Sequence, residues 1–210
     1  GGRIKIGYQL VLRLLRDGAR VIVTTRFAHD CAKRLKAEPD SHEWLDRVQI
    51  YGLDLRMLPA VEQFIAHLHA TEPSIDILIN NAAQTIKRPY EFYRPLVEAE
   101  YQASSHDQTL LVHDQQQHLD WLKHGSNYAL LGAGQHVIDH TRHDYDGLPL
   151  DYREHNSWSL LLDQIDTREL LEVQLINAVA PFMLNSQLKP LLLRSPFARR
   201  FIINVSAMEG

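Results

Sequence analysis

Apolar and polar positions follow two periods along this chain. Leu10, Val11, Leu14 and Leu15 fall at i, i+1, i+4 and i+5, a single helical stripe over residues 8–16. Asp17 and Gly18 end it, with Gly18 placed as a left-handed cap. Residues 21–25 (Val-Ile-Val-Thr-Thr) are β-branched throughout and read as a buried strand. A charged helix over 28–37 stops at Pro39-Asp40, and 48–51 makes a second strand that closes on Gly52. Leu58, Val61, Phe64, Ile65 and Leu68 mark a helix ended by Pro73, and 75–79 makes a third strand. Asp166 and Glu169 resemble a capping box at the head of a long helix that Pro181 should kink or restart. Residues 200–205 form a fourth strand that runs into Ser206-Ala207.

Strands alternating with helices, joined by crossovers of sufficient length, predict an α/β fold, a doubly wound parallel sheet in three layers. The rhythm fails between residues 85 and 159, where Gln, His, Asp and Tyr dominate and eight of the twelve histidines lie. That stretch is too long for a loop in a compact domain, so it reads as an inserted lid or subdomain between the parts 1–84 and 160–210. Helices over 95–101 and 114–123 are expected within it.

Composition narrows the function classes. With 45% hydrophobic and 23% charged residues, the 210-residue chain is ordinary globular material. A net charge of -4 gives no electrostatic reason to expect nucleic acid or an anionic membrane as partner. The densest apolar stretch, 188–193, is interrupted by Lys189 and Pro190, far short of the ~20 residues of a membrane span. A lone cysteine, Cys31, excludes an internal disulfide and fits a reducing, cytoplasmic setting; it reads as a small packed residue.

Chemistry enters at Gly1-Gly2-Arg3-Ile4-Lys5-Ile6-Gly7, directly before the first helix. Glycines let backbone amides approach an anion, and the helix N-terminus behind them favours a pyrophosphate. Other sharp features are Arg26 after the first visible strand, Asp54-Leu55 after the second, and Asn80-Asn81-Ala82-Ala83 after the third. Asn177 sits in the late helix and Ser206 after the last strand. In this order they resemble the short-chain dehydrogenase/reductase family over nearly the whole chain apart from the insertion, although Lys5 replaces the middle glycine and Ala207 stands at the serine position.

The resemblance implies a Rossmann-like sheet incomplete at both ends, and a nicotinamide dinucleotide held by Gly1, Arg3, Ile6, Gly7, Arg26, Asp54, Leu55, Asn80 and Ala82. Arg26, a cationic fork where an acid would hold a ribose 2′-hydroxyl, favours NADP over NAD. Asn177 would hold a water of the proton relay, and Ser206 would act catalytically if it takes the place of the serine missing at Ala207. The implied activity is hydride transfer between NADP(H) and a small carbonyl or alcohol substrate, in a complete protein that is a homo-oligomer. The family's Tyr-x-x-x-Lys pair would fall after Gly210, so the fragment itself is expected to be inactive and, with sheet edges unpaired, unstable or prone to aggregate. The insertion would act as a substrate lid or oligomer contact.

Three alternatives compete with this reading. A catalytically dead relative would bind nucleotide or a protein through the same fold. His136, His140 and His143 would share a face on a helix and could bind zinc, but a polar histidine-rich insertion explains them without a metal. Gly132-Ala133-Gly134 imitates a second dinucleotide turn, with Val137 where its third glycine should be.

Overall fold

The computed structural model describes residues 1–103, 120 and 138–206. The helix expected over 114–123, the Gly132-Ala133-Gly134 turn, His136 and Ala207 lie outside those residues, Asp120 excepted. The chain forms two compact units: Gly1–Gly52 with Ile86–Asp163, and Leu53–Thr85 with Gln164–Gly210.

In the first unit α1 (Lys5–Arg16) leads into β1 (Val21–Thr25), α2 (Ala28–Lys36) and β2 (Val48–Gly52). Helix α1 ends as its sequence requires. Gly18, at φ 90, and Ala19 donate back to Leu15 and Leu14, which satisfies the last carbonyls of the helix. The strands β1 and β2 pair in parallel from Val21 opposite Val48 to Thr25 opposite Gly52, with α2 as the crossover. Their alternation buries Val21, Val23, Val48 and Ile50 with Leu15, Leu35 and Trp44, and the last three of these are at most 1% exposed. Cys31 is fully buried in this core, where burial pushes its thiol up to about 12, so it stays neutral and serves packing.

Residues 86–163 add α4 (Tyr90–Ala103) and an antiparallel hairpin, β4 (Ile138–His143) and β5 (Pro149–Asp151), to this first unit. Helix α4 begins at Tyr90 rather than at Pro95, because burial of Phe92, Val97 and Glu100 along one face outweighs the backbone bond that Pro95 cannot make. His140 and His143 lie on a strand, so the helical face that a zinc site would have needed does not form there.

In the second unit α3 (Leu58–Thr71) precedes β3 (Ile77–Asn80), which pairs in parallel with β6 (Phe201–Asn204) from Ile77 opposite Phe201 to Asn80 opposite Asn204. Between them run α5 (Thr167–Gln174), a π turn (Leu175–Val179), α6 (Ala180–Gln187) and α7 (Lys189–Leu193). Asp166 caps α5 by accepting the Arg168 N–H. Pro181 restarts the helix as expected, and the π turn ahead of it absorbs the irregularity. The residues of β6 remain open, with Phe201, Ile202 and Ile203 at 44–48% exposure. Parallel strands with crossover helices make this an α/β, Rossmann-like fold. Among the described residues no helix is long and apolar enough to cross a membrane.

Candidate functional site

In the first unit the glycine-rich turn stands directly ahead of α1. Ile4 is extended, and Lys5 turns the chain into the helix at φ 55, the left-handed region that favours glycine. Lys5 therefore sits where the missing middle glycine would have been at ease. Lys5→Gly is expected to raise unfolding free energy by about 1 kcal/mol, the cost of a side chain in that region. Urea unfolding would check it, and a loss of stability would show that the Lys5 side chain contributes more than its backbone costs. That side chain is largely exposed and lies 3.8 Å from Asp146, a pair of small worth.

The close approach in this turn is made by Gly2, which the sequence reading passed over in favour of Gly1. A Cβ on Gly2 would stand 2.6 Å from Val23 Cγ1 and 2.9 Å from Val11 Cγ2. Gly1 is exposed, Gly7 is buried inside α1, and Ile6 is 61% exposed beside it. Arg3 is buried rather than reaching into solvent. It donates to Asp30 at 2.7 Å, and its guanidinium carbon lies 5.3 Å from the Phe27 ring centroid. Burial alone would push the Asp30 carboxyl up, but hydrogen bonds from Arg3 and Arg34 outweigh it and hold the group below the usual range.

Arg26 follows β1, its guanidinium carbon 4.4 Å from the Tyr93 ring centroid and 5.4 Å from that of Phe27. Two residues on, α2 begins with no side-chain cap of its own. The buried carboxylate of Glu100, from α4, accepts the N–H groups of His29 at 3.1 Å and Asp30 at 3.0 Å. Burial pushes Glu100 up to about 6, against the pull of those two amides. No local pattern around Glu100 signalled this, because its partners lie some 70 residues away.

In the second unit Asp54 is 1% exposed and engaged by its neighbour Arg56, through the backbone N–H at 3.0 Å and the guanidinium at 2.5–3.1 Å. Leu55 beside it is half-buried. The Asn80 amide nitrogen donates to Asn185 Oδ1 and to Asn204 Oδ1, both at 2.8 Å, so one side chain ties β3 to β6 and to α6. Asn185 and Asn204 stand as isolated asparagines in the sequence, with no spacing that signals this contact. Ala82 is half-buried, and Ser206 lies exposed just past β6.

Asn177 lies within the π turn and grips the peptide of Gln84 from both sides. Its Oδ1 accepts the Gln84 N–H at 2.8 Å, and its Nδ2 donates to the Gln84 carbonyl at 2.9 Å. The N–H of Ala180 goes to Leu175, and Pro181 has no N–H. The carbonyls of Ile176 and Asn177 thereby lose the donors that an α-helix would supply. A backbone acceptor of this kind suits a bound water.

The family model described as short chain dehydrogenase matches residues 1–103. An uncharacterized protein of Acanthamoeba polyphaga mimivirus is 31% identical over 223 residues, which cover all of this chain and 43% of that protein. Retinol dehydrogenase 13 of Homo sapiens is 35% identical over 85 residues, 39% of this chain and 24% of that one. The chain thus spans less than half the length of either curated relative. Among solved structures, menthone neomenthol reductase from Mentha piperita is similar at a TM-score of 0.56 and 19% identity, over 99% of this chain and 58% of that chain. That last likeness is one of fold.

Proposed function

The chain belongs to the short-chain dehydrogenase/reductase family, matched over residues 1–103, and on that premise we propose that it serves hydride transfer between NADP(H) and a small carbonyl or alcohol. The observation that carries the reading is the turn ahead of α1. Gly2 leaves no room for a side chain, Lys5 takes the left-handed conformation, and a helix N-terminus follows. These residues fit a dinucleotide pyrophosphate. Gly1, Ile6 and Gly7 would border it, and Arg3, through Asp30, would hold the turn in place. Within the second unit, Leu55, Ala82 and Asp54, steadied by Arg56, are proposed as cofactor contacts, with Asn80 holding β3 to β6.

When bound, the nicotinamide ring supplies or accepts the hydride. Asn177, fixed by its two hydrogen bonds to Gln84, would keep a water on its backbone carbonyl to pass protons. Ser206 would donate its hydroxyl hydrogen to a substrate oxygen. The name of retinol dehydrogenase 13 places an alcohol among the substrates of similar proteins, which agrees with an alcohol or carbonyl here. Leu170, Leu171 and Phe182, 50–70% exposed on the α5–α6 run, favour a homo-oligomer built on these helices.

Arg26 carries the preference for NADP(H), because a guanidinium suits a 2′-phosphate and would leave a 2′-hydroxyl weakly held. Arg26→Ala is expected to lower NADPH affinity about 10- to 100-fold, the worth of a charged hydrogen bond, and to leave NADH affinity within about twofold. Fluorescence titration of both nucleotides measures the ratio. An unchanged ratio would move the assignment to NAD.

A further inference from the structure

Helix α4 presents one face to the end of β1 and the start of α2. Tyr93, Val97 and Glu100 follow one another at i, i+4 and i+7, so they line a single side of the helix. Val97 packs with Phe27, Tyr93 takes the Arg26 guanidinium on its ring, and Glu100 takes two amides of the first turn of α2. A polar residue at position 27 could cap α2 locally, without burying a carboxylate. The chain instead places Phe27 there and brings in an anion from α4, some 70 residues away. The inserted hairpin brings a second carboxylate, Asp146, to 3.8 Å from Lys5 on the glycine-rich turn.

We propose that Tyr93 and Glu100 set cofactor preference as a counterweight to Arg26, lowering the affinity for a nucleoside 2′-phosphate while sparing the 2′-hydroxyl form. The inference rests on the assignment of Arg26 to the 2′-phosphate. A phosphate on Arg26 has to share a guanidinium already held over Tyr93. It also adds negative charge to a segment that already carries the buried Glu100 carboxylate, held on the amides of His29 and Asp30, three and four residues after Arg26. A hydroxyl meets neither cost. Glu100 and Tyr93 act here as selectivity residues and take no part in moving a proton or a hydride.

The test titrates NADPH and NADH into the full chain carrying Glu100→Gln, Tyr93→Leu or Arg26→Ala, with thermal unfolding to confirm that each variant is folded. Glu100→Gln keeps an acceptor oxygen for one of the two α2 amides and removes the charge, and it is expected to raise the NADPH-to-NADH affinity ratio about tenfold. Tyr93→Leu keeps an apolar contact to Phe27, loosens the hold on Arg26, and should raise the same ratio about threefold. If one variant fails to fold, the other decides. A ratio left unchanged by both, while Arg26→Ala lowers it, overturns the counterweight and spares the NADP(H) reading. A ratio that none of the three moves overturns the 2′-phosphate assignment, and the counterweight with it.

Discussion

Asp54→Ala is expected to lower unfolding free energy by about 3–5 kcal/mol, the loss that follows when one partner of a buried ion pair is removed. Asp54 is 1% exposed, and Arg56 places three donors on it while remaining only 14% exposed itself. Without the carboxylate, the Arg56 guanidinium loses its 2.5 Å ion pair, while Glu172 stands farther off at 3.5 Å. Asp54→Asn preserves shape and one acceptor oxygen, so it should cost roughly half as much. Urea unfolding of the two variants measures this. A residue that served only to contact an adenine would leave stability within about 0.5 kcal/mol of the parent, the range of an ordinary surface change.

Gly2→Ala should be nearly as damaging, at about 2–3 kcal/mol, and should abolish dinucleotide binding as well. Its Cβ would fall 2.6 Å from Val23 Cγ1 and 2.9 Å from Val11 Cγ2. Both valines are buried, and β-branched side chains have little freedom to turn away. The turn would have to shift off α1, and its amides would no longer converge on an anion. Gly18→Ala makes the control, since nothing lies within 4 Å of a Cβ there and only the φ of 90 resists. Its cost should be about 1 kcal/mol, without effect on nucleotide binding. Adding Val23→Ala to Gly2→Ala should recover part of the loss. Strictly additive costs in that double variant would mean the two side chains do not collide.

Much of the architecture was legible because each element carries its own period and its own terminator. The β-branched run of β1, the stripe of α1 and Gly18 settle their conformations locally, and the strand–helix alternation then leaves few topologies open. Candidate site residues carried by local patterns could at least be placed on their elements: the glycine pair ahead of α1, Arg26 after β1, Asn80 at the end of β3 and Asn177 in a helical run. What escaped was set by distance or by packing. Gly2 rather than Gly1 makes the close approach because of where Val11 and Val23 point, which no spacing of glycines reveals. Arg3 looks like an anion ligand in sequence, yet Asp30 and Phe27 claim it from the far side of β1. Glu100 acquires its role from amides about 70 residues away. Histidines spaced for a helix face lie on a strand at 140 and 143, where helical spacing has no meaning.

The π turn at Leu175–Val179 has a consequence for how this helix can vary. A turn closed by i→i+5 bonds is what remains when one residue is inserted into an α-helix, and each helical residue turns the chain by about 100°. The added residue therefore re-phases Thr167–Gln174 against Ala180–Gln187, so the two stretches present their apolar sides independently. A homologue shorter by one residue here would lose the rotation that points Asn177 at Gln84, while Pro181 would still leave one carbonyl without its donor. A gap in the helix, more than a substitution, would mark a relative that had abandoned the Asn177 grip.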